Sequence, residues 1–117
     1  MNMKRLLKSF VYALKGLSKA WREERNLQLQ TLVGLAVLIL SFLAGISRLE
    51  WLLIIIVIFL VILMELINSA LERVTDVLKP RINGYVKDIK DIMAAAVLMA
   101  SVLAIIVGLV VLLPYFI

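Results

Sequence analysis

The sequence predicts an all-α membrane protein, an N-terminal amphipathic surface helix followed by three transmembrane helices, and three observations lead there. Of the 117 residues, 64% are hydrophobic and only 18% charged, against about 45–50% and ~25% in soluble domains. A water-soluble fold of this size keeps too much surface exposed to hide so many apolar side chains. The apolar residues also fall into three long runs separated by short polar stretches. Finally, the basic residues are distributed unevenly. Lys4, Arg5, Lys8, Lys15, Lys19, Arg22 and Arg25 precede the first run, and Arg73, Lys79, Arg81, Lys87 and Lys90 lie between the second and third, whereas Arg48 alone occupies the first connection. Basic connections stay on the cytoplasmic side of a membrane. The N-terminus and the second connection are therefore expected to face the cytoplasm, across a bacterial inner membrane, with the C-terminus outside after three crossings. One compact domain, 1–117, is expected.

The first element, about 4–22, is a basic amphipathic helix. At 100° per residue Leu6, Leu7, Phe10, Val11, Leu14, Leu17 and Trp21 share one face, and Lys4, Lys8, Lys15, Lys19 and Arg22 share the other. That division suits a helix lying in the headgroup plane, with Trp21 in contact with lipid. A signal peptide would need an unbroken apolar segment, which Lys15 and Lys19 interrupt. Residues 26–47 carry no charge and are long enough for one span of ~20 residues. Arg48–Glu50 is expected to be a tight turn, with Trp51 as interfacial anchor. A second span of about 51–78 follows, which Pro80 should end. At 1.5 Å per residue Glu65 lies about 21 Å along the helix from Trp51, near the inner edge of the hydrocarbon. Residues 79–85, with Pro80 and Asn83-Gly84, are expected to form a loop. The third span runs over about 88–113 and should close at Pro114. On it Ala96, Ala100, Ala104 and Gly108 recur every four residues, either as a close-packing ridge or as incidental small residues.

The chain has no cysteine and no histidine. Disulfides, zinc sites, cysteine nucleophiles and histidine bases are thereby excluded. Any metal must take oxygen ligands, which favours a hard cation such as Mg²⁺. The net charge of +5 does not indicate nucleic acid, because the basic residues stand where membrane orientation requires them.

The chemistry concentrates on the second span. Glu65, Asn68, Glu72 and Asp76 are spaced by three, four and four residues, which places them within an arc of roughly 80° on a helix. A charged side chain inside a membrane costs ~2.5–3.5 kcal/mol on insertion scales, so a glutamate kept there is a functional candidate. Poor hydration also makes a carboxylate a better base. Alternatively, Glu72 and Asp76 lie beyond the membrane on a solvated face, paired with Arg73 or Lys79. Glu24, where the surface helix turns into the first span, and Lys90-Asp91, at the start of the third, are expected at the same depth as Glu72. They are either part of a site for Mg²⁺ and polyphosphate or ordinary helix-end charges.

These residues carry a resemblance. Glu24-Arg25-Asn26, the run from Glu65 to Glu72 with Asp76, and Lys90-Asp91 followed by Ala94-Ala95-Ala96 closely resemble the bacterial diacylglycerol kinase/undecaprenol kinase family. The likeness extends to Tyr12, Lys15-Gly16 and Ala20-Trp21. It implies a homotrimer that transfers the γ-phosphoryl group of ATP to the hydroxyl of a membrane lipid, diacylglycerol or undecaprenol, at the cytoplasmic face. By motif, Glu65 would be the general base and Glu24 and Glu72 the Mg²⁺ ligands. Lys90, Asp91, Tyr12 and Arg5 would bind ATP, with Asn68 and Asp76 in support. Gln28 and Gln30 depart from the undecaprenol branch, which usually has an aromatic or Arg and then His there. Two other classes compete: a small proton-coupled multidrug transporter using a membrane glutamate, and a non-catalytic adaptor whose basic helix binds lipid or a partner. The transporters differ in having four spans, with the glutamate in the first.

Overall fold

A computed structural model describes residues 2–79, 81 and 83–117. Among these residues four helices follow one another: α1 (Met3–Glu23), α2 (Arg25–Ala44), α3 (Arg48–Leu78) and α4 (Asn83–Phe116). The latter three are long and apolar enough to cross a membrane.

Helix α1 starts at Asn2, whose side chain accepts a hydrogen bond from the Lys4 N–H at 3.0 Å and so satisfies one free donor of the first turn. Of its residues only Ala20 is buried. The apolar face from Leu6 to Trp21 is left uncovered by the rest of the chain, as a helix resting on a lipid surface requires. A single extended residue, Glu24 (φ −113°, ψ 105°), separates α1 from α2. The Gln28 side chain braces the break by donating to the Trp21 carbonyl at 2.6 Å.

Helix α2 buries Leu27, Gly34 and Ser41, seven residues apart and hence on one stripe. A Cβ at Gly34 would stand 3.1 Å from Cγ2 of Ile58 on α3, so this glycine lets the two backbones approach. Thr31 and Ser41 return their hydroxyls to the Leu27 and Val37 carbonyls at 2.8 Å, which satisfies them without water. Gly45 ends α2 in the left-handed conformation, φ 67°, the usual glycine stop.

The turn to α3 is shorter than expected. Ser47 and Glu50 form a reciprocal capping box: the Glu50 N–H donates to Ser47 Oγ and the Ser47 N–H to Glu50 Oε1. Arg48–Glu50 is therefore the first turn of α3 and not a loop, and the pattern Ser-x-x-Glu was there to signal it. The 31 residues of α3 span about 46 Å, well over the ~30 Å of hydrocarbon. The expected stop at Pro80 lies outside the described residues. Helix α4 begins at Asn83, so Asn83–Tyr85 are helical and not loop. It also passes Pro114 to reach Phe116. Proline in a last turn removes only one hydrogen bond, and the next turn continues with the Ile117 N–H donating to the Leu113 carbonyl at 3.1 Å.

Helices α3 and α4 pack most extensively, with α2 against both. Ile46, Ile54 and Val111 form a buried cluster near the α2–α3 turn, flanked by Trp51 and Val107. Most of the apolar surface of α2, α3 and α4 is not buried within the chain and is available to lipid or to further copies. A groove of about 580 Å³ runs between the three helices, lined among others by Val33, Val61, Ala104 and Gly108. Ala100 is buried, but a Cβ at Gly108 would meet nothing within 4 Å. The small-residue ridge is thus only partly a contact line within one chain.

Candidate active site at the break between α1 and α2

Six residues of α3 are buried: Ile54, Val57, Val61, Glu65, Ser69 and Thr75. At 100° per residue they lie within about 120° of arc. The polar stripe is therefore the direct continuation of the face that α3 packs against its neighbours. Glu72 falls in the middle of the same arc and is half-buried.

Glu65 is 7% exposed. Glu24 and Glu72 are close enough for their charges to act on it. Its carboxylate enters none of the side-chain hydrogen bonds among the described residues, and no fully buried side-chain oxygen there lacks a partner. Each oxygen thus keeps some uncovered surface, as a base acting on another molecule requires.

Glu24 reaches this stripe because of where it sits. As the extended residue before α2 it makes no side-chain capping bond to its own helix. Its Oε1 instead accepts a hydrogen bond from Ser69 Oγ on α3 at 2.9 Å. Arg73 Nη2 lies 3.7 Å from the same oxygen and 3.4 Å from Oε1 of Glu23. On α3 itself, Asn68 Nδ2 donates to Glu72 Oε1 at 3.1 Å, and Thr75, 1% exposed, returns its hydroxyl to the Glu72 carbonyl at 3.0 Å. Asn68 and Thr75 thereby hold the Glu72 turn, and among the described residues its second carboxylate oxygen enters no side-chain hydrogen bond.

Towards the α3–α4 connection, Lys90 Nζ donates to Asp76 Oδ1 at 2.9 Å. Asp76 is thus paired, but with Lys90 of the neighbouring helix and not with Arg73 or Lys79 of its own. Lys90 is also close enough to Glu72 to feel its charge. The structure therefore joins Glu24, Glu65, Asn68, Glu72, Asp76 and Lys90 into one connected region. Asp91 is turned to a different partner, Lys87, at 3.3 Å. Arg5 and Tyr12 stand on exposed turns of α1, where the Tyr12 ring lies 5.9 Å from Lys15 Nζ. Trp21 is half-exposed at the end of the apolar face.

Sequence reasoning passed over Ser69, Thr75 and Glu23 as participants, and offered Arg73 only as a partner for Glu72 or Asp76, whereas it pairs with Glu23 and Glu24. The period of the helix could have found Ser69 and Thr75, which share the arc of Glu65. Nothing local marks the pairing of Arg73 with Glu23, because the two are 50 residues apart.

Among the described residues no group of three or more carboxylates is arranged to cage a metal ion. The donor set still fits Mg²⁺ of the kind that takes one or two carboxylates and draws its other ligands from water and phosphate. Glu24 and Glu72 are two oxygen donors on facing elements beside Glu65.

Fold and site together define a class: a small helical membrane protein with its carboxylates gathered at the end of the bundle where a surface helix joins it. The family model for prokaryotic diacylglycerol kinase matches residues 11–112, and the chain belongs to that family of membrane-embedded kinases. It is 37% identical over 113 residues to an undecaprenol kinase of Bacillus subtilis, covering 97% of this chain and 92% of the relative. It is likewise 37% identical over 110 residues to a diacylglycerol kinase of Synechocystis, covering 93% of this chain but 63% of that longer relative. A diacylglycerol kinase of Escherichia coli K12 is 29% identical over 112 residues, with 96% and 92% covered.

Proposed function

We propose that this protein transfers the γ-phosphoryl group of ATP to the hydroxyl of a membrane lipid alcohol, diacylglycerol or undecaprenol, at the cytoplasmic face of a bacterial inner membrane, with its N-terminus on that side. The observation that carries the proposal is Glu65: buried on a packing face, its oxygens still partly uncovered, and flanked by Glu24 and Glu72. The family membership and the names of its relatives support the same reaction.

In this reading Glu65 accepts the proton of the lipid hydroxyl as that oxygen attacks the γ-phosphorus, and the bond from the γ-phosphorus to the bridging oxygen breaks to release ADP. Glu24 and Glu72 would hold Mg²⁺, which when bound supplies positive charge to the phosphate oxygens. Asn68 fixes the Glu72 carboxylate, and Ser69 fixes that of Glu24. Lys90, with Asp91, Tyr12 and Arg5, contacts the nucleotide, and Asp76 sets the position of the Lys90 ammonium. Phosphoryl transfer asks mainly for positioning and charge neutralisation, which such a set supplies without a glycine-rich loop. The exposed apolar faces of α2 to α4 suit assembly into a homotrimer.

The deciding experiment incubates purified protein with labelled ATP, Mg²⁺ and mixed micelles holding diacylglycerol and undecaprenol in competition. Label should enter one lipid preferentially and require Mg²⁺, and Glu65→Gln should lower transfer by about 10²–10⁴. Absence of transfer to either lipid would defeat the proposal. A proton-coupled transporter is not favoured, since among the described residues three helices and not four are long and apolar enough to span.

A further inference from the structure

The pairing of Arg73 is not used by the reaction as described. Its guanidinium sits between two carboxylates with different duties. Glu23 is the last residue of α1, and Glu24 is the extended residue that follows. Arg73 Nη2 is 3.4 Å from Glu23 Oε1 and 3.7 Å from Glu24 Oε1, the oxygen that also accepts from Ser69. The side chains of Arg73, Glu23 and Glu24 are 42, 50 and 28% exposed, so the three lie at a water-accessible rim where ions can exchange.

We propose that Arg73 is a resident counter-cation that competes with the divalent ion for Glu24, and that Glu23 is the seat that draws it away. The inference rests on Glu24 being a metal ligand. A guanidinium beside a carboxylate neutralises the charge a divalent cation would use, and the two positive charges repel each other at this range. Glu23 offers the guanidinium a second anion slightly nearer than the first. Arginine never loses its charge in a protein, so the competition persists at every working pH. Arg73 is thus a positioning residue that sets how much divalent ion the site needs, and Glu23 opposes it.

This arrangement predicts opposite signs for two neighbouring substitutions. Arg73→Gln removes the competitor and should tighten divalent binding about threefold, the scale expected for partly exposed ion pairs. Glu23→Gln leaves the guanidinium with Glu24 alone and should weaken binding by a similar factor. In the Arg73→Gln background, Glu23→Gln should have much less effect, because no guanidinium remains to be shared. A merely structural clamp between α1 and α3 would instead be broken by either substitution, with the same sign.

The test titrates Mn²⁺ into the full-length protein in detergent micelles, with and without a non-hydrolysable ATP analogue. Bound Mn²⁺ is read by water-proton relaxation, with Glu24→Gln as control. Opposite shifts of the two single variants, with the double variant binding like Arg73→Gln alone, support the competition. Weaker binding or no change in Arg73→Gln, while Glu24→Gln still weakens binding, overturns the role of Arg73 and leaves Glu24 as a ligand. Binding that Glu24→Gln leaves untouched overturns both.

Discussion

Two stretches of α3 share one face and are buried to the same degree, yet they hold opposite kinds of residue. Ile54, Val57 and Val61 are 0, 6 and 6% exposed, and Glu65, Ser69 and Thr75 are 7, 5 and 1% exposed. Burial therefore does not distinguish the structural half from the functional half. What distinguishes them is how replaceable their partners are. The aliphatic residues touch neighbours through many weak and non-directional contacts. Two of the polar ones depend on single directional bonds to named atoms, Ser69 to Glu24 and Thr75 to the Glu72 carbonyl. The third, Glu65, enters no such bond among the described residues and is left to act on another molecule. A buried polar group without its partner costs far more than a slightly worse hydrophobic fit.

Substitutions on the two halves should accordingly separate activity from stability. The largest effect is expected at Glu65. Glu65→Gln keeps the shape but cannot accept the proton, and turnover should fall by about 10²–10⁴, with the unfolding transition in detergent little changed. A variant that keeps its activity would erase the functional half of the comparison. Next, Ile54→Ala opens a hole in the cluster with Ile46 and Val111 and should cost ~2–5 kcal/mol on the scale of core truncations. Its activity per folded molecule should stay near that of the parent, measured as unfolding midpoint against turnover on the same sample. Gly34→Val forces branched carbon against Ile58, already 3.1 Å from a bare Cβ. It should destabilise by ~1–3 kcal/mol through overpacking, again with turnover per folded molecule retained. The smallest effect is expected for Asp76→Asn. The bond from Lys90 at 2.9 Å joins side chains that are 39 and 65% exposed. Its loss should lower the unfolding midpoint only slightly at low salt, and the difference should vanish as salt is raised. A large loss of turnover there would move Asp76 from support into the reaction itself.

Much of the fold was legible in advance because it is local. Composition, three apolar runs and the uneven basic residues established a surface helix and three spans. Where the ends were misplaced, the reason was also local. The Ser47–Glu50 capping box starts α3 three residues early, and Pro114 sits where a proline costs one bond only. The candidate site was legible in part. The helical period placed Glu65, Asn68, Glu72 and Asp76 on one side of α3, and the topology put Glu24 and Lys90 at the depth of Glu72, but only the motif resemblance chose a site there over ordinary helix-end charges.

The division is physical. By itself the sequence determined that the chain is a membrane protein, where its helices run and which residues share a face, because hydropathy and a 3.6-residue period are properties of neighbouring residues. It also determined that any chemistry must run on carboxylates, lysine or tyrosine, because cysteine and histidine are absent. Only the tertiary structure decided that the carboxylate stripe continues the packing face and does not look away from it. It alone brought Ser69 to Glu24 across 45 residues, Arg73 to Glu23 across 50, and Lys90 to Asp76 from a different helix. Those pairings follow from how each helix is rotated and how closely α2, α3 and α4 approach, and the positions of Gly34 and of the break at Glu24 govern that approach. A local pattern specifies a face, but packing selects what the face meets.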